Sequence, residues 1–398
     1  MKSLKRIKSI LHETPFALVI LFSLLSNGLV AQAISESTRI SILTADGGNE
    51  IYNTFGHTAI RVSDSSLSYD VVYNYGTFDF GMGFIQNFIH GRLDYYVNAE
   101  PTEYFIVNYQ YQNRSVHEQF LYLDSQQKAS IIAFLEWNAL PEHRGYRYDF
   151  LFDNCATRVR DIFIADSANF QVNYEENTDK FTFRNLIHNY SYKALPLLDW
   201  GMDLLLGTRC DRVITAKELT FLPDYIYKSY ALSYNKKLNA PLVSRVNELY
   251  IAPAIDKPVK LFTPFICNSI ILVFSLLIMG LEYKKKRHFK VWDAIWMIVL
   301  SILGILMTYE WLFTEHTVTK YNFNILWANP IFLFTAIFLF IKSMKRSMEM
   351  ILLIIGGLLL STQLFFFTMP QQYHLATYPI IWAVLIRILW ICYGLKKS

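Results

Sequence analysis

Charged residues are scarce in this chain, and cysteines are scarcer. Of 398 residues only 18% are charged, against roughly 25% in average soluble proteins, and there are four cysteines. The sequence shows no internal repeat, no Cys/His spacing of a metal site, no phosphate loop and no basic stripe for nucleic acid. We therefore expect no metal, no other cofactor and no nucleic-acid partner. The net charge of +4 comes from short Lys/Arg clusters beside apolar stretches, a pattern that reports membrane topology.

The apolar excess lies at both ends of the chain. At the start, four basic residues precede an apolar run at 16–29, and Ala31-Gln32-Ala33 fits a small-x-small cleavage site. These features predict a secretory signal peptide over residues 1–33; an uncleaved anchor helix is the alternative. No cysteine follows the run, so the segment is not a lipoprotein signal.

Five apolar stretches follow near the end of the chain, and each is close to the roughly 20 residues that a spanning helix needs. The loops at 284–290 and 342–346 are basic, so by the positive-inside rule they face the cytoplasm. The preceding domain then lies in the periplasm, and the C-terminus lies in the cytoplasm. We predict an inner-membrane protein with a periplasmic domain at 34–255 and a transmembrane domain of about five helices at 256–398. The stretches are 262–283, 291–309, 325–342, 350–367 and 379–395.

Strand-like and helical patterns mix in the periplasmic part, which predicts an α+β fold. Within it, Cys155 follows two good helix-capping residues, Asp153 and Asn154. Apolar residues recur behind Cys155 at helical spacing, so its thiolate would be stabilised by the free N–H groups and dipole of a helix start. We interpret Cys155 as a nucleophile, with Asn154 and Arg158 as oxyanion or supporting groups. A buried structural cysteine, or a disulfide with Cys210, is the alternative.

His57 opens an alternating strand, and a second alternating strand follows a polar turn at 63–68. An antiparallel pairing across this turn places side chains of opposed residues on one face. Asn74 would then orient the imidazole of His57 as the third member of a Cys–His–Asn set, with Asp79 as the reserve candidate. The predicted pairs are Val62 with Tyr69, Arg61 with Asp70, Ile60 with Val71, Thr58 with Tyr73 and His57 with Asn74.

The order of these residues, histidine first and cysteine about 100 residues later, is the reverse of papain. It resembles the permuted papain-like enzymes, among them lecithin:retinol acyltransferase and its phospholipase/acyltransferase relatives. The segments FGHTAIRV, YNYGTFDF, DNCATRVRD, LLDWGMDLLLG and FLPDYI resemble the periplasmic domain of the Lnb family of lipoprotein N-acyltransferases. EHTVTKYNFNILWANP and Arg387 resemble that family's membrane domain.

The resemblance implies a reaction in two steps. An acyl chain moves from a membrane phospholipid to Cys155, and then to the α-amino group of a diacylglyceryl-cysteine lipoprotein. A phospholipid hydrolase with the same acyl-enzyme, and less readily a cell-wall amidase or peptidase, remain alternatives. The residues leave the acyl acceptor undecided.

Polar residues in the membrane half are candidates for lipid or substrate binding: His316, Asn322, Asn324 and Arg387. An intramembrane arginine is costly and marks a functional site by default, although pairing with a neighbouring helix is the alternative. The segment 195–206 has enough Leu, Trp and Met to lie at the membrane interface or over an acyl groove; packing in the domain core is its alternative.

Overall fold

The computed structural model describes residues 35–50, 52–175, 181–192, 195–254 and 262–397. The predicted signal peptide at 1–33 lies outside the described residues.

The first half of the described chain is built on a seven-stranded antiparallel sheet in the order β10-β5-β1-β2-β3-β4-β6. A second, three-stranded sheet has the order β7-β8-β9. The strands are β1 Arg39–Ala45, β2 His57–Asp64, β3 Tyr69–Thr77, β4 Asp94–Pro101, β5 Val116–Leu121, β6 Gly145–Arg147, β7 Phe170–Gln171, β8 Tyr234–Asn235, β9 Ala240–Pro241 and β10 Val243–Tyr250.

Helices cover both faces of the large sheet because its central strands are apolar on both sides. One core joins Ile42 and Ile60 to the helices that begin at Ser125, Cys155 and Pro223, and the other joins Leu43 and Ala59 to the helix that begins at Thr102. The α+β prediction is therefore confirmed. The helices are α1 Phe84–His90, α2 Thr102–Tyr111, α3 Ser125–Ala139, α4 Cys155–Ala165, α5 Phe183–Ser191, α6 Pro196–Leu205, α7 Ala216–Leu219 and α8 Pro223–Leu232.

The predicted register of β2 against β3 is wrong by two residues. Ile60 pairs with Tyr73 rather than with Val71. The cause is Asp64, whose carboxylate accepts hydrogen bonds from the N–H and hydroxyl groups of Ser66. This side-chain turn shortens the connection and extends β2 to Asp64. Side chains alternate with a period of two, so the shift leaves every residue on its predicted face.

Among the described residues of the second half, four helices are long and apolar enough to cross a membrane. They are α9 Pro264–Lys285, α10 Lys290–Leu312, α12 Lys345–Leu364 and α13 Thr377–Lys397. The prediction of a continuous helix at 325–342 is wrong. In this stretch the structure has only the short helix α11, Phe332–Phe338, with 3₁₀ turns on either side of it. Pro330 lacks an N–H and disfavours helical geometry at Asn329, which accounts for the break.

The broken stretch still connects the two ends of the bundle. Asn324, at its start, donates a hydrogen bond to the Leu204 carbonyl in the periplasmic half. Gln371, which follows α12, donates to the Leu206 carbonyl in the same half. Because α12 has 20 residues and rises roughly 1.5 Å per residue, its first residue lies about 30 Å from that junction. The chain between Asn324 and α12 therefore runs the length of the bundle.

Helix α6 joins the two halves. Its Leu204 belongs to the core of the membrane helices, and the Trp200 indole N–H donates to the Thr377 hydroxyl at 3.0 Å. Behind α6, Gly207 lies so close to the loop after α10 that a Cβ there would be 1.8 Å from the Lys320 carbonyl oxygen. The segment 195–206 therefore packs on both halves: Trp200 and Leu204 lie in the core of the membrane helices, whereas Met202 and Leu206 pack in a core of the periplasmic half. Core packing, the alternative for this segment, thus holds for part of it.

Candidate active site

Cys155 is the first residue of α4, as the capping pattern predicts. The Asn154 side-chain oxygen accepts the N–H groups of Ala156 and Thr157, both at 2.9 Å, and its amide donates to the carbonyls of Phe150 and Phe221. The side-chain oxygen and amide of Asn154 are therefore both engaged in fixing the start of α4. The backbone N–H of Cys155, in the first turn, has no intrahelical acceptor and is the better oxyanion donor.

His57 is the first residue of β2, and its Nε2 lies 2.6 Å from the Asn74 Oδ1 atom. The Asn74 amide nitrogen donates to Glu100 Oε1 at 2.9 Å. A carboxylate oxygen only accepts, so this bond directs the NH₂ group of Asn74 to Glu100 and its oxygen to the imidazole. Nε2 must then carry the hydrogen, which leaves the lone pair of Nδ1 to accept the proton of the Cys155 thiol.

Gly76 lies beside both reacting groups. A Cβ built there would be 3.7 Å from Cys155 Cβ and 3.8 Å from His57 Cε1. Its φ of +92° is a conformation that only glycine adopts readily. The glycine thus leaves space next to the thiol and the imidazole that any other residue would fill.

The thiol and the imidazole change each other's proton affinity. Burial raises the pKa of Cys155, but the charge and hydrogen bond of His57 and the N–H groups of Thr58 and Ala156 outweigh it, so the pKa is lowered. Burial lowers the pKa of His57, but the Cys155 thiolate and the bond to Asn74 outweigh it, so the pKa is raised. Each group therefore stabilises the charged form of the other, and a lowered thiol pKa is the direction that makes a cysteine more nucleophilic.

An aromatic ring and a buried cation support the imidazole from α2 and the turn after it. The Tyr109 ring stacks on His57 with centroids 6.3 Å apart and an interplanar angle of 23°. The Arg114 guanidinium carbon lies 4.6 Å from the Tyr109 ring centroid, and its Nε donates to the Asp46 carbonyl. The charge of Arg114 lowers the pKa of His57, against the larger upward effect of Cys155.

Sequence reasoning missed Glu100, Tyr109 and Arg114. Glu100 and Arg114 carry no local motif that ties them to His57. Phe105 and Tyr109 lie four residues apart on α2, so they share a helix face, but this spacing predicts only a buried face.

Arg158 and Asp79 have other partners. Arg158 forms a two-bond ion pair with Asp153 at 2.5 and 2.7 Å and lies 4.0 Å above the Tyr146 ring. Its charge is therefore largely compensated one turn from the thiol. Asp79 accepts a hydrogen bond from the Tyr96 hydroxyl, while Asn74 is bonded to His57. Of the two candidates for the third position, the geometry favours Asn74.

The polar residues before α11 lie at the junction of the two halves. Asn322 and Asn324 are buried, and both donate to the Leu204 carbonyl, at 2.7 and 3.2 Å. His316 Nε2 is 2.9 Å from the Phe88 carbonyl oxygen. These groups hold the periplasmic half on the membrane helices, and lipid contact by them stays a prediction.

Arg387 is paired inside the helix bundle. It is 2% exposed and contacts Glu282 of α9 at 2.7 Å and Asp293 of α10 at 2.8 Å. All three guanidinium nitrogens make these bonds. The structure therefore favours the alternative that Arg387 pairs with neighbouring helices rather than with a lipid.

In the part of the chain that the structure describes, two side-chain groups have the composition of a metal site. In the first, His374 Nδ1 accepts the Ala376 N–H, so Nε2 carries the hydrogen and faces Asp199 at 3.1 Å. That nitrogen then has no lone pair for a metal beside His188 and Asp199. The second group, Glu282, His288 and Asp293, surrounds the guanidinium of Arg387. Both arrangements are explained by hydrogen bonds and ion pairs.

Cys155 and Cys210 are not joined by a disulfide, so the alternative of a Cys155–Cys210 disulfide is wrong. Cys210 is fully buried beside the Val318 carbonyl. Burial raises the pKa of its thiol to about 12, which keeps it protonated and unreactive.

Comparisons with known proteins agree with this two-part structure. A family model described as the Lnb N-terminal periplasmic domain matches residues 29–189, and one described as the Lnb transmembrane domain matches residues 256–398. Searches among curated proteins and among solved structures give no match. Cys155, His57, Asn74 and Glu100 all fall within the first matched region.

Proposed function

Because the chain belongs to the Lnb family of lipoprotein N-acyltransferase-like proteins, we propose that it transfers an acyl chain from a phospholipid to the N-terminal amino group of diacylated lipoproteins. The observation that carries this proposal is the hydrogen-bonded series Glu100–Asn74–His57. It ends beside the Cys155 thiol at a helix start, in a domain that packs on membrane helices. The permuted papain-like relationship is part of the same proposal.

In the first step, His57 Nδ1 takes the thiol proton and the Cys155 sulfur attacks the carbonyl carbon of a phospholipid ester. The backbone N–H of Cys155 and the start of α4 stabilise the negative charge on the carbonyl oxygen. As the intermediate collapses, His57 returns its proton to the leaving alkoxide. The products are a thioester on Cys155 and a lysophospholipid.

In the second step, the α-amino group of a lipoprotein attacks the thioester carbonyl. His57 removes a proton from the attacking nitrogen, and the C–S bond breaks to give an amide and the Cys155 thiolate. Asn74 keeps the imidazole in one orientation throughout, since it bonds to Nε2 while Nδ1 exchanges the proton. Both substrates reside in a bilayer, so a site joined to membrane helices can meet them without extracting either.

The test is mass spectrometry of lipoprotein N-termini from cells that lack the gene and carry either the wild-type protein or Cys155→Ala. We expect triacylated N-termini with the wild type and diacylated ones with the variant. Cys267→Ala, the same change at a half-buried cysteine outside the site, should restore triacylation.

Triacylated lipoproteins in cells with a well-expressed Cys155→Ala protein would contradict the proposal. Diacylated lipoproteins together with free fatty acid released by the purified wild type would favour a phospholipid hydrolase instead.

A further inference from the structure

The segment at residues 78–90, between β3 and β4, exposes a run of large apolar side chains. Met82 is fully exposed, and α1 buries none of its seven residues. The segment contains one charged residue, Asp79. Soluble surfaces rarely expose such a contiguous patch without a binding partner. The exposed members are Phe80, Met82, Ile85, Phe88 and Ile89.

This segment is attached to the end of a membrane-crossing helix. His90 Nδ1 lies 3.0 Å from the Tyr309 hydroxyl in the last turn of α10, and the Glu315 N–H donates to the His90 carbonyl at 2.8 Å. Arg92 pairs with Glu315 at 2.8 Å. Tyr309 precedes the end of α10 by three residues, about 4.5 Å along the axis. These contacts place the exposed side chains beside the C-terminal end of α10.

Residues 78–90 are also connected to the surroundings of the Cys155 thiol. The segment begins two residues after Gly76, where an added Cβ would lie 3.7 Å from Cys155 Cβ and 3.8 Å from His57 Cε1. A row of rings also connects the two regions: Phe84 to Phe78 at 5.2 Å, Phe78 to Tyr95 at 4.9 Å and Tyr95 to Tyr148 at 4.4 Å between centroids. Tyr148 is followed by Asp149, whose backbone pairs with that of Asp153, two residues before Cys155.

We propose that residues 78–90 insert into the outer leaflet beside α10, and that the row of rings from Phe84 to Tyr148 guides a phospholipid acyl chain to Cys155. The occupant is the bilayer rather than a protein because the patch continues the apolar surface of α10, where Leu312 and Phe313 are also exposed. Aromatic side chains at this depth are typical of membrane interfaces. Insertion of the segment does not depend on the proposed function, whereas guidance of the acyl chain rests on it.

Insertion is tested by photo-crosslinking of the full-length protein in vesicles of phosphatidylethanolamine and phosphatidylglycerol. Benzoylphenylalanine replaces Met82 in one preparation and Leu67 in another. Leu67 is 54% exposed in the turn at the other end of the β2–β3 hairpin, and the eight residues of β2 separate the ends by roughly 26 Å. Mass spectrometry should find a phospholipid adduct at position 82 and none at 67. Equal lipid labelling at both positions, no labelling at 82, or an adduct of 82 with protein overturns insertion.

Guidance is tested with Phe78→Ser, which interrupts the row of rings, and Leu67→Ser is the control. Formation of the Cys155 thioester from vesicle phospholipid should fall roughly tenfold or more in Phe78→Ser, because the large apolar side chain between Phe84 and Tyr95 is lost. The rate of Cys155 alkylation by iodoacetamide checks that the site is intact. Unchanged acylation in Phe78→Ser overturns guidance. Absence of acylation in the wild type would instead refute the proposed function and leave the crosslinking result standing.

Discussion

Replacing Asn74 by alanine should impair catalysis while leaving the fold intact. The substitution removes the oxygen 2.6 Å from His57 Nε2 and the amide that donates to Glu100. The backbone pairing of β3 with Asn98 of β4 does not depend on the side chain. The imidazole then loses the group that fixes its orientation, although the Tyr109 ring still stacks on it.

The size of the effect follows from the charge of the ring. A hydrogen bond to a charged group contributes about 1.5–3 kcal/mol, and each 1.36 kcal/mol corresponds to a tenfold change in rate. We expect the rate of Cys155 acylation to fall roughly 10- to 150-fold. The bond to Asn74 is also one of the causes that raise the pKa of His57, so this pKa should be lower in the variant.

The assay is single-turnover acylation of the full-length protein by a labelled phospholipid in vesicles, over a range of pH. Asn98→Ala, at the neighbouring paired position, is the matched control and should retain the wild-type rate. An Asn74→Ala protein with an unchanged melting temperature and a rate within about twofold of the wild type, well inside the span expected for one such bond, would refute the assigned role.

Three further substitutions test other parts of the structure. His57→Gln should slow iodoacetamide alkylation of Cys155 at pH 7 by roughly tenfold or more. Burial raises the thiol pKa and would no longer be offset by His57, and each pKa unit changes the thiolate fraction about tenfold. An unchanged rate at pH 7 would argue against a role of His57 in lowering the thiol pKa. Arg387→Ala should lower the free energy of unfolding in detergent by about 3–5 kcal/mol, since two buried carboxylates lose their partner. Unchanged stability with lost activity would instead support a role of Arg387 in lipid binding. Cys210→Ala should keep acylation within about twofold of the wild type, with some loss of stability from the small cavity, and lost acylation in a stable protein would contradict its inert assignment.

Local patterns were sufficient for the two reactive residues. The cap formed by Asp153 and Asn154 predicts the helix start at Cys155, and alternation predicts the strand that begins at His57. Asn74 was placed beside His57 even though the register was wrong by two residues. The reason is that a shift of two keeps a side chain on its face, and the neighbouring diagonal position is still within reach of a side chain.

Contacts between residues that are far apart in the sequence could not be predicted from it. Glu100 reaches Asn74 only because β4 pairs with β3, and Arg114 reaches His57 only through the Tyr109 ring. In the membrane half, the cost of an intramembrane charge singled out Arg387, but its acidic partners lie about a hundred residues away along the chain. Pro330 indicates the break before α11, whereas hydropathy alone predicts a continuous helix there.

The most direct test of the proposed chemistry is to trap the acyl group on Cys155. Purified full-length protein is incubated with labelled phospholipid in the absence of lipoprotein, and is then treated with neutral hydroxylamine. We expect label that hydroxylamine releases, that maps to Cys155 by mass spectrometry, and that is absent from Cys155→Ala. Transfer to lipoprotein with no labelled enzyme under any donor would show that the acyl chain passes directly between substrates and that Cys155 does not carry it.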